Sequence, residues 1–259
     1  MRTRQLMGAA ASTLRGTLQQ VRRAPERARA RNLDNQAETY FAARPDRKAV
    51  LDGVRRTIST GMSVCQYHLL HQRVIERRPR VIFEFGGGAS TAIMAQALSE
   101  VEAGRVVSFE NMPKYSDEAR ALVPPYLQPF CRFELRDKHA STIQWGGRSL
   151  WGFHYATLSE EKPDMILVDG PFEAWTLDAP RGVCLDVLLY MAKADHTTNV
   201  DVIVEGKRST VAALNSLLAR RRLTNHWGVD MHSIDGLTRG DLPKGPPLLV
   251  SRTGTSKPE

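Results

Sequence analysis

The stretch from Val81 to Thr91 constrains the fold of this chain more than any other part of the sequence. A mostly apolar segment with one acid is followed by three consecutive glycines and then by a hydroxyl-rich start of an apolar helical run. This order predicts a buried strand, a tight turn and a helix. Glycine lets the backbone turn sharply and approach another group closely, and the unpaired N–H groups of a helix start favour an anionic ligand. An ordinary glycine-rich turn of an α/β protein is the alternative interpretation.

Strands and helices alternate along the rest of the sequence. Strands are expected at residues 81–85, 105–111, 132–137, 164–170 and 200–205, and an antiparallel pair at residues 225–234 and 247–253. The alternation predicts an α/β fold with a doubly wound, mostly parallel, seven-stranded Rossmann-like sheet and right-handed crossovers. Residues 138–162 are expected to form a long functional connection, because loops of that length are usually functional or disordered and the aromatic residues of this one argue against disorder.

The positive charge of the chain is confined to its first 60 residues. Residues 1–60 contain 13 lysines and arginines and 5 acids, whereas residues 61–259 contain 23 of each, so that the net charge of +8 belongs to the first part. We therefore expect a basic helical N-terminal extension over residues 1–60 and a Rossmann-like domain over residues 61–259. An electrically neutral domain argues against a nucleic-acid groove, so no nucleic-acid partner is expected for it.

Residues 1–31 carry eight arginines and one acid, with apolar residues at helical spacing. Three interpretations are open: a solvated arm, a surface for an anionic membrane or an acidic partner, and an organelle-targeting segment. No apolar run approaches the roughly 20 residues that span a bilayer. No signal peptide is recognised either, so a cytoplasmic location is expected. The three scattered cysteines are typical of reduced thiols.

Acidic residues stand at or near the carboxyl ends of four predicted strands. They are Glu84, Glu110, Asp169 and Glu205. Ligands of doubly wound sheets bind outside the carboxyl ends of the strands, so these side chains are expected to converge beside the glycine-rich turn. Clustered like charges are unfavourable unless a cation, a hydrogen-bond donor or a positively charged ligand meets them. The sequence therefore predicts a site for a ligand that carries hydroxyl groups and positive charge.

Four segments of the predicted sheet resemble motifs of class I S-adenosylmethionine-dependent methyltransferases. E-F-G-G-G-A-S-T at residues 84–91 is similar to their E/D-x-G-x-G motif, and more narrowly to the E-x-G-x-G-x-S-T motif of bacterial small-molecule methyltransferases. S-F-E at 108–110, V-D-G-P at 168–171 and E-G-K-R at 205–208 resemble three further motifs of that group. The last motif departs from the group, which usually has paired aspartates where Glu205 and Gly206 stand here.

The resemblance implies S-adenosylmethionine as the cofactor and a small molecule as the methyl acceptor, with a hydroxyl oxygen as the acceptor atom. In such a site Glu84 would favour the ammonium group of the cofactor through a hydrogen-bond network. Glu110 would accept hydrogen bonds from the ribose hydroxyls, and Asp137 would border the adenine. The other cofactor-binding candidates lie in the turn and the helix start: Gly86, Gly87, Gly88 and Ser90.

The sequence offers several catalytic and substrate-binding candidates. Asp169 is the first candidate for the base that removes the proton of an acceptor hydroxyl, followed by His154, His139 and Glu205. A turn-capping role is the alternative for Asp169. The substrate-binding candidates are Arg181, Arg208 and Tyr155, of which the arginines would bind an acidic group bidentately. No metal is expected, and a divalent cation held by Asp169 and Glu205 is the alternative.

Two other classes of protein remain alternatives. An NAD-type dinucleotide-binding domain also places an acid after its second strand, but its G-x-G-x-x-G pattern has glycine where Thr91 stands here. A methyltransferase-like fold can also act as a catalytically silent interaction module, with the basic arm as its docking element.

Overall fold

A seven-stranded sheet organises the computed structural model of this chain, which describes residues 28–57, 62–156, 160–170, 182–195, 197–219, 221–226 and 230–250. In spatial order the strands are β3 (Cys131–Leu135), β2 (Arg105–Glu110), β1 (Val81–Phe85), β6 (Met165–Val168), β8 (Asn199–Glu205), β10 (Met231–Thr238) and β9 (Thr224–His226). The first five are parallel to one another, whereas β10 is antiparallel to β8 and β9 is antiparallel to β10. The predicted α/β fold with a mostly parallel seven-stranded sheet is confirmed.

Helices pack on both faces of this sheet, as in a doubly wound fold. Alternate side chains of a strand point to opposite faces, so Ile82 packs with the helices of one face and Phe83 with those of the other. The first face carries α1 (residues 28–42), α2 (Pro45–Val54), α3 (Val64–Arg77) and α4 (Ala89–Glu100), and the second face carries α6 (Asp186–Lys193) and α7 (Arg208–Leu217). Helix α5 (Pro113–Leu122) contacts β2, β3 and α4. None of the described helices is long and apolar enough to cross a membrane.

Residues 138–155 form a β-hairpin, and the prediction of a long connection there was wrong. Strands β4 (Lys138–Trp145) and β5 (Arg148–Tyr155) are antiparallel and join β7 (Val183–Cys184) and β11 (Leu248–Val250) in a second, four-stranded sheet. Gly146 and Gly147 connect them with positive φ angles of 54° and 73°, and a two-residue turn of this kind matches the twist of a hairpin. The Gly-Gly pair between two aromatic-rich segments was the sequence signal for this hairpin.

The predicted pairing of residues 225–234 with residues 247–253 was also wrong. The first segment divides into β9 and the start of β10, which pair with each other. Strand β10 also pairs with β8 on its other side. Strand β11 instead pairs with β4 in the second sheet. Sequence patterns identify a strand by its own side chains, whereas its partner depends on packing with residues far away in the sequence.

The described part of the predicted N-terminal extension shares the hydrophobic core of the domain. Phe41, Leu51 and Val54 are buried in the same cluster as Ile82 and Met94. The boundary that was predicted at residue 60 therefore separates two segments with a common core, and it stays a prediction. Most of the basic arm, residues 1–27, lies outside the described residues.

A buried group of polar side chains fixes α2 to α3 and α4. The Glu100 carboxylate, only 5% exposed, accepts hydrogen bonds from Arg47 at 2.7 Å (Nε to Oε1) and 2.5 Å (Nη2 to Oε2), and from Arg44 Nη1 at 3.0 Å. His71 Nε2 lies 3.2 Å from Glu100 Oε1, and His71 Nδ1 lies 3.0 Å from the Tyr40 hydroxyl. Burial lowers the pKa of His71 to about 4, so the imidazole is neutral near pH 7.

We expect Glu100→Ala to lower the free energy of unfolding by about 3 kcal/mol, because it leaves the largely buried Arg47 guanidinium without its partner. Urea unfolding followed by circular dichroism measures the change. Asp52→Ala is the matched control, since it removes only an exposed pair with Lys48 and should change stability by less than about 1 kcal/mol. Equal losses in the two variants would contradict the assignment.

Candidate functional site

Three acids lie in one row at the carboxyl edge of the central sheet. Four residues of neighbouring strands lie in register near this edge: Phe109, Phe85, Val168 and Val204. Each of them is followed by the residue nearest the edge: Glu110, the last residue of β2, Gly86, directly after β1, Asp169, directly after β6, and Glu205, the last residue of β8. Neighbouring strands are about 4.8 Å apart, so Asp169 and Glu205 are adjacent, while Gly86 leaves a place without a side chain between Glu110 and Asp169. We call Glu110, Asp169 and Glu205 the acid row.

The acid row lies on the α3–α4 side of the sheet. Leu167 and Ile203, two residues before Asp169 and Glu205, pack with α3 and α4, and side chains two residues apart share a face. Glu84 precedes Gly86 by two residues and belongs to the same side, below the gap in the row. The convergence of the four strand-end acids that the sequence predicts is therefore present.

Glu84 joins β1 to the start of α4. Its side chain is fully buried, and its oxygens accept hydrogen bonds from the hydroxyls of Ser90, at 2.5 Å, and Thr91. The Thr91 hydroxyl also accepts a hydrogen bond from the Gly88 N–H, at 3.4 Å, which caps the helix. Burial raises the pKa of Glu84 to about 7. Because Glu84 is fully buried, we expect it to influence a ligand through the side chains that it holds, those of Ser90 and Thr91.

Two of the three glycines of the turn are required by the packing of the turn itself. Gly86 has a φ angle of +92°, and a Cβ there would lie 2.5 Å from the backbone nitrogen of Gly170. A Cβ at residue 87 would overlap the hydroxyl of Ser108. Gly88 has an extended backbone with a φ angle of −174°, which any residue adopts. The turn after β1 and the segment after β6 are therefore in direct backbone contact at the edge of the acid row.

Glu110 is oriented by the backbone that follows it. Its Oε1 accepts hydrogen bonds from the N–H groups of Asn111, at 2.6 Å, and Met112, at 3.0 Å, and the residue is 9% exposed. Burial raises the pKa of Glu110. Within the described ranges no residue donates a hydrogen bond to its other oxygen, Oε2. The carboxyl group is thus held in place by one oxygen and keeps the other for a further donor.

Asp169 and Glu205 form a closely coupled pair of carboxyl groups. Burial raises the pKa of both, and the negative charge of Asp169 raises the pKa of Glu205 further. Gln66 Nε2 donates a hydrogen bond to Glu205 Oε1 at 3.1 Å, and Lys207 Nζ lies 3.9 Å from Asp169 Oδ1. Burial and the nearby acids also raise the pKa of Tyr67. The Lys207 ammonium opposes this rise in pKa at both acids, because a nearby positive charge favours the ionised carboxylate.

Sequence reasoning missed three residues beside the acid row: Gln66, Tyr67 and Lys207. The first two lie in the first turn of α3, where Ser63 and Gln66 form a capping box. The spacing of serine and glutamine three residues apart was a signal for the helix start, but nothing in it indicated which strand the helix would meet. Lys207 stands two residues after Glu205, and its proximity to Asp169 depends on the pairing of β6 with β8.

Two of the other predicted site residues, His154 and Tyr155, lie in strand β5 of the second sheet. His154 belongs to β5, and its ring nitrogens lie 3.0 Å from the Ser141 hydroxyl and 3.0 Å from the Tyr155 carbonyl oxygen. Tyr155 is 2% exposed and packs its ring against Phe85 and Phe109. The structure shows no contact between His154 and the acid row within the described ranges.

Asp137, Arg208 and Arg181 complete the predicted set. Asp137 is exposed, and its carbonyl oxygen accepts the N–H of Ala156 at 2.8 Å. Arg208 begins α7 with a side chain that is 76% exposed, and its Nη2 lies 3.5 Å from Asp230 Oδ2. Arg181 lies outside the described residues. The roles of these residues, and of His154 and Tyr155, stay predictions.

The sheet and the acid row define a doubly wound α/β protein with a candidate site at the carboxyl ends of its central strands. No family model matches the sequence, and no curated protein matches it. Solved structures are similar in shape. The O-methyltransferase TomG from Streptomyces achromogenes, involved in tomaymycin synthesis and solved with SAM, is 17% identical with a TM-score of 0.48, over 78% of this chain and 96% of that chain.

Two further solved proteins show a similar degree of likeness. A putative O-methyltransferase from Klebsiella pneumoniae is 17% identical with a TM-score of 0.47, over 78% of this chain and 96% of that chain. An O-methyltransferase from Bacillus cereus, solved with SAH, is 17% identical with a TM-score of 0.46, over 76% of this chain and 96% of that chain.

We expect the stability of the protein to carry a pH dependence that originates in Glu84. Its pKa is about 7 in the folded chain and 4.5 for an ordinary glutamate, so its stabilising contribution is full below about pH 4.5 and is lost as the pH rises through 7. Glu84→Gln removes this titration. The free energy of unfolding of the wild type should therefore fall, relative to that of Glu84→Gln, between pH 5 and pH 8.

Urea unfolding at the two pH values measures this difference. Glu76→Gln, at a glutamate whose side chain is 64% exposed, is the matched control and should leave the pH dependence of the wild type unchanged. A constant difference between the wild type and Glu84→Gln would show that Glu84 does not titrate in this range.

Proposed function

We propose that this protein is an S-adenosylmethionine-dependent methyltransferase that acts on a hydroxyl oxygen of a small molecule. The observation that carries the proposal is the acid row, with the gap at Gly86, next to the N-terminus of α4. Acids that lie this close favour a ligand with positive charge and hydroxyl donors, and the helix start favours a carboxylate. S-adenosylmethionine combines these features in one molecule.

The described residues are compatible with this cofactor. Glu110 presents an oxygen, Oε2, to which no described residue donates, and the two ribose hydroxyls supply donors of the required kind. Ser90 and Thr91, which Glu84 holds in place, stand in the first turn of α4, where backbone N–H groups can meet the carboxylate of the methionine part. A cationic ligand would also relieve the mutual repulsion of the acid row.

The cofactor, when bound, supplies a methyl group on a positively charged sulfur, and the protein contributes alignment and electrostatics. Asp169 would accept the proton of the acceptor hydroxyl as the oxygen attacks. Its ionised form is favoured by Lys207, at 3.9 Å, which suits a base that has to be unprotonated before the reaction. His154 is less suited to this step, because contacts within the second sheet occupy both of its ring nitrogens.

The position of Asp169 beside Gly86 also supports its role. The glycine carries no side chain, so a ligand that lies over the turn after β1 meets Glu110 on one side and Asp169 on the other. Binding and proton transfer would then be divided between neighbouring members of one row. Arg181, Arg208 and Tyr155 remain the candidates for the acceptor side, and residues 1–31 remain a candidate surface for an anionic membrane or an acidic partner.

We expect Glu110→Gln to raise the dissociation constant for S-adenosylhomocysteine about 10- to 100-fold, because it removes a charged acceptor worth about 1.5–3 kcal/mol. The glutamine oxygen can still accept the N–H groups of Asn111 and Met112, so the turn is preserved. Isothermal titration calorimetry measures the affinity, and circular dichroism checks the fold. Glu118→Gln, at a glutamate of the neighbouring helix α5 that pairs with Lys114, is the matched control.

The same calorimetry separates the proposal from its alternatives. Binding of S-adenosylmethionine and S-adenosylhomocysteine without binding of NAD⁺ is the expected result. Failure of both sulfur compounds to bind at millimolar concentration would favour a silent interaction module, and binding of NAD⁺ alone would favour a dinucleotide-binding protein. An unchanged affinity in Glu110→Gln would remove Glu110 from the cofactor site.

A further inference from the structure

We infer that the ammonium group of Lys207 is the built-in cation of the Asp169–Glu205 pair, and that this pair works without a divalent metal ion. The charge arrangement follows from contacts within the described chain. Its use in methyl transfer rests on the proposed function. In that reaction Lys207 is a positioning residue, because it acts on the acceptor through Asp169.

The turn after β8 directs Lys207 toward Asp169. Gly206 has a φ angle of +61°, in the left-handed region that favours glycine, and its N–H donates a hydrogen bond to the Asp230 carbonyl oxygen at 2.8 Å. The Lys207 carbonyl oxygen then accepts the N–H of Val211 at 3.0 Å at the beginning of α7. The side chain returns toward the end of β6, where it is 22% exposed and its Nζ lies 3.9 Å from Asp169 Oδ1.

Glu205, the second acid of the pair, also has a donor from the protein. Gln66 Oε1 accepts hydrogen bonds from the Ser63 N–H at 2.6 Å and from the Ser63 hydroxyl at 3.0 Å. These bonds determine the orientation of the amide, so its Nε2 has to point to Glu205 Oε1, at 3.1 Å. Each acid of the pair thus has its own partner from the protein, an amide donor at Glu205 and an ammonium at Asp169.

The chemistry of these residues does not suit a divalent cation. Carboxylate oxygens are the preferred ligands of Mg²⁺ and Mn²⁺, yet Gly206, the residue after Glu205, offers no side-chain oxygen. Within the described ranges no three histidines, cysteines or acids are grouped so that they could hold a metal ion. An ammonium 3.9 Å from one carboxylate would also repel a divalent ion at that carboxylate.

Lys207 would contribute to the reaction by keeping Asp169 ionised. As the acceptor oxygen forms its bond to the methyl carbon, the carbon–sulfur bond breaks and its electron pair stays on sulfur. The hydroxyl proton passes to Asp169, and the ion pair with Lys207 becomes a contact between an ammonium and a neutral acid. No co-reactant beyond the acceptor and the methyl donor is needed.

Binding of Mn²⁺ to the full-length protein tests the inference, measured by electron paramagnetic resonance and calorimetry. The wild type and Lys207→Arg, which keeps the charge, should not bind Mn²⁺ below millimolar concentration. Lys207→Asp replaces the ammonium with a third carboxylate and should raise the Mn²⁺ affinity at least about tenfold. Adding Asp169→Asn to Lys207→Asp should abolish that gain. Lys48→Met removes a lysine that pairs with an aspartate outside the site and should behave as the wild type.

Micromolar binding of Mn²⁺ to the wild type that is lost in Asp169→Asn would overturn the inference, since the pair would then hold a metal next to Lys207. An unchanged Mn²⁺ affinity in a folded Lys207→Asp variant would overturn it as well, because Lys207 would not be what keeps the ion away. Circular dichroism checks the fold of each variant. These outcomes do not require S-adenosylmethionine to bind, so they are distinguishable from a failure of the proposed function.

Discussion

The hydrogen bonds from Ser90 and Thr91 to the buried Glu84 are the interaction on which the candidate site depends. They fasten the first turn of α4 to the end of β1, although the three glycines between them impose little conformational preference of their own. A carboxyl group with no exposure to water is unfavourable unless donors surround it, so the acid and the two hydroxyls require one another. Gly86 can then lie against Gly170, and the segments after β1 and β6 meet at the edge of the sheet.

The acid row follows from the register of the parallel strands. The residues nearest the carboxyl edge of neighbouring strands lie side by side. Glu110, Asp169 and Glu205 point to the α3–α4 face because each stands an even number of residues after a core side chain of that face. The glycine in the row prevents a fourth side chain from filling the middle. Lys207, directly before α7, places a positive charge near Asp169, and Gln66 of α3 donates a hydrogen bond to Glu205.

Local patterns of the sequence predicted the parts of the fold that depend on local chemistry. The Glu84–Thr91 stretch predicted a strand, a turn and a helix, and all three are present. The hairpin of β4 and β5 was not predicted, although the Gly146–Gly147 pair is typical of a hairpin turn. The partner of β11 could not be predicted, since three apolar residues specify a strand and not its neighbour.

The sequence by itself determined the class of fold, the acids at the strand ends and the glycines that the turn after β1 requires. Each of these depends on residues that are close together in the chain. Only the tertiary structure decided which acids become neighbours and which cation and amide face them. Gln66 and Glu205 are 139 residues apart in the chain and 3.1 Å apart in the fold. Contacts of that kind depend on strand order and helix packing, which no local pattern of residues contains.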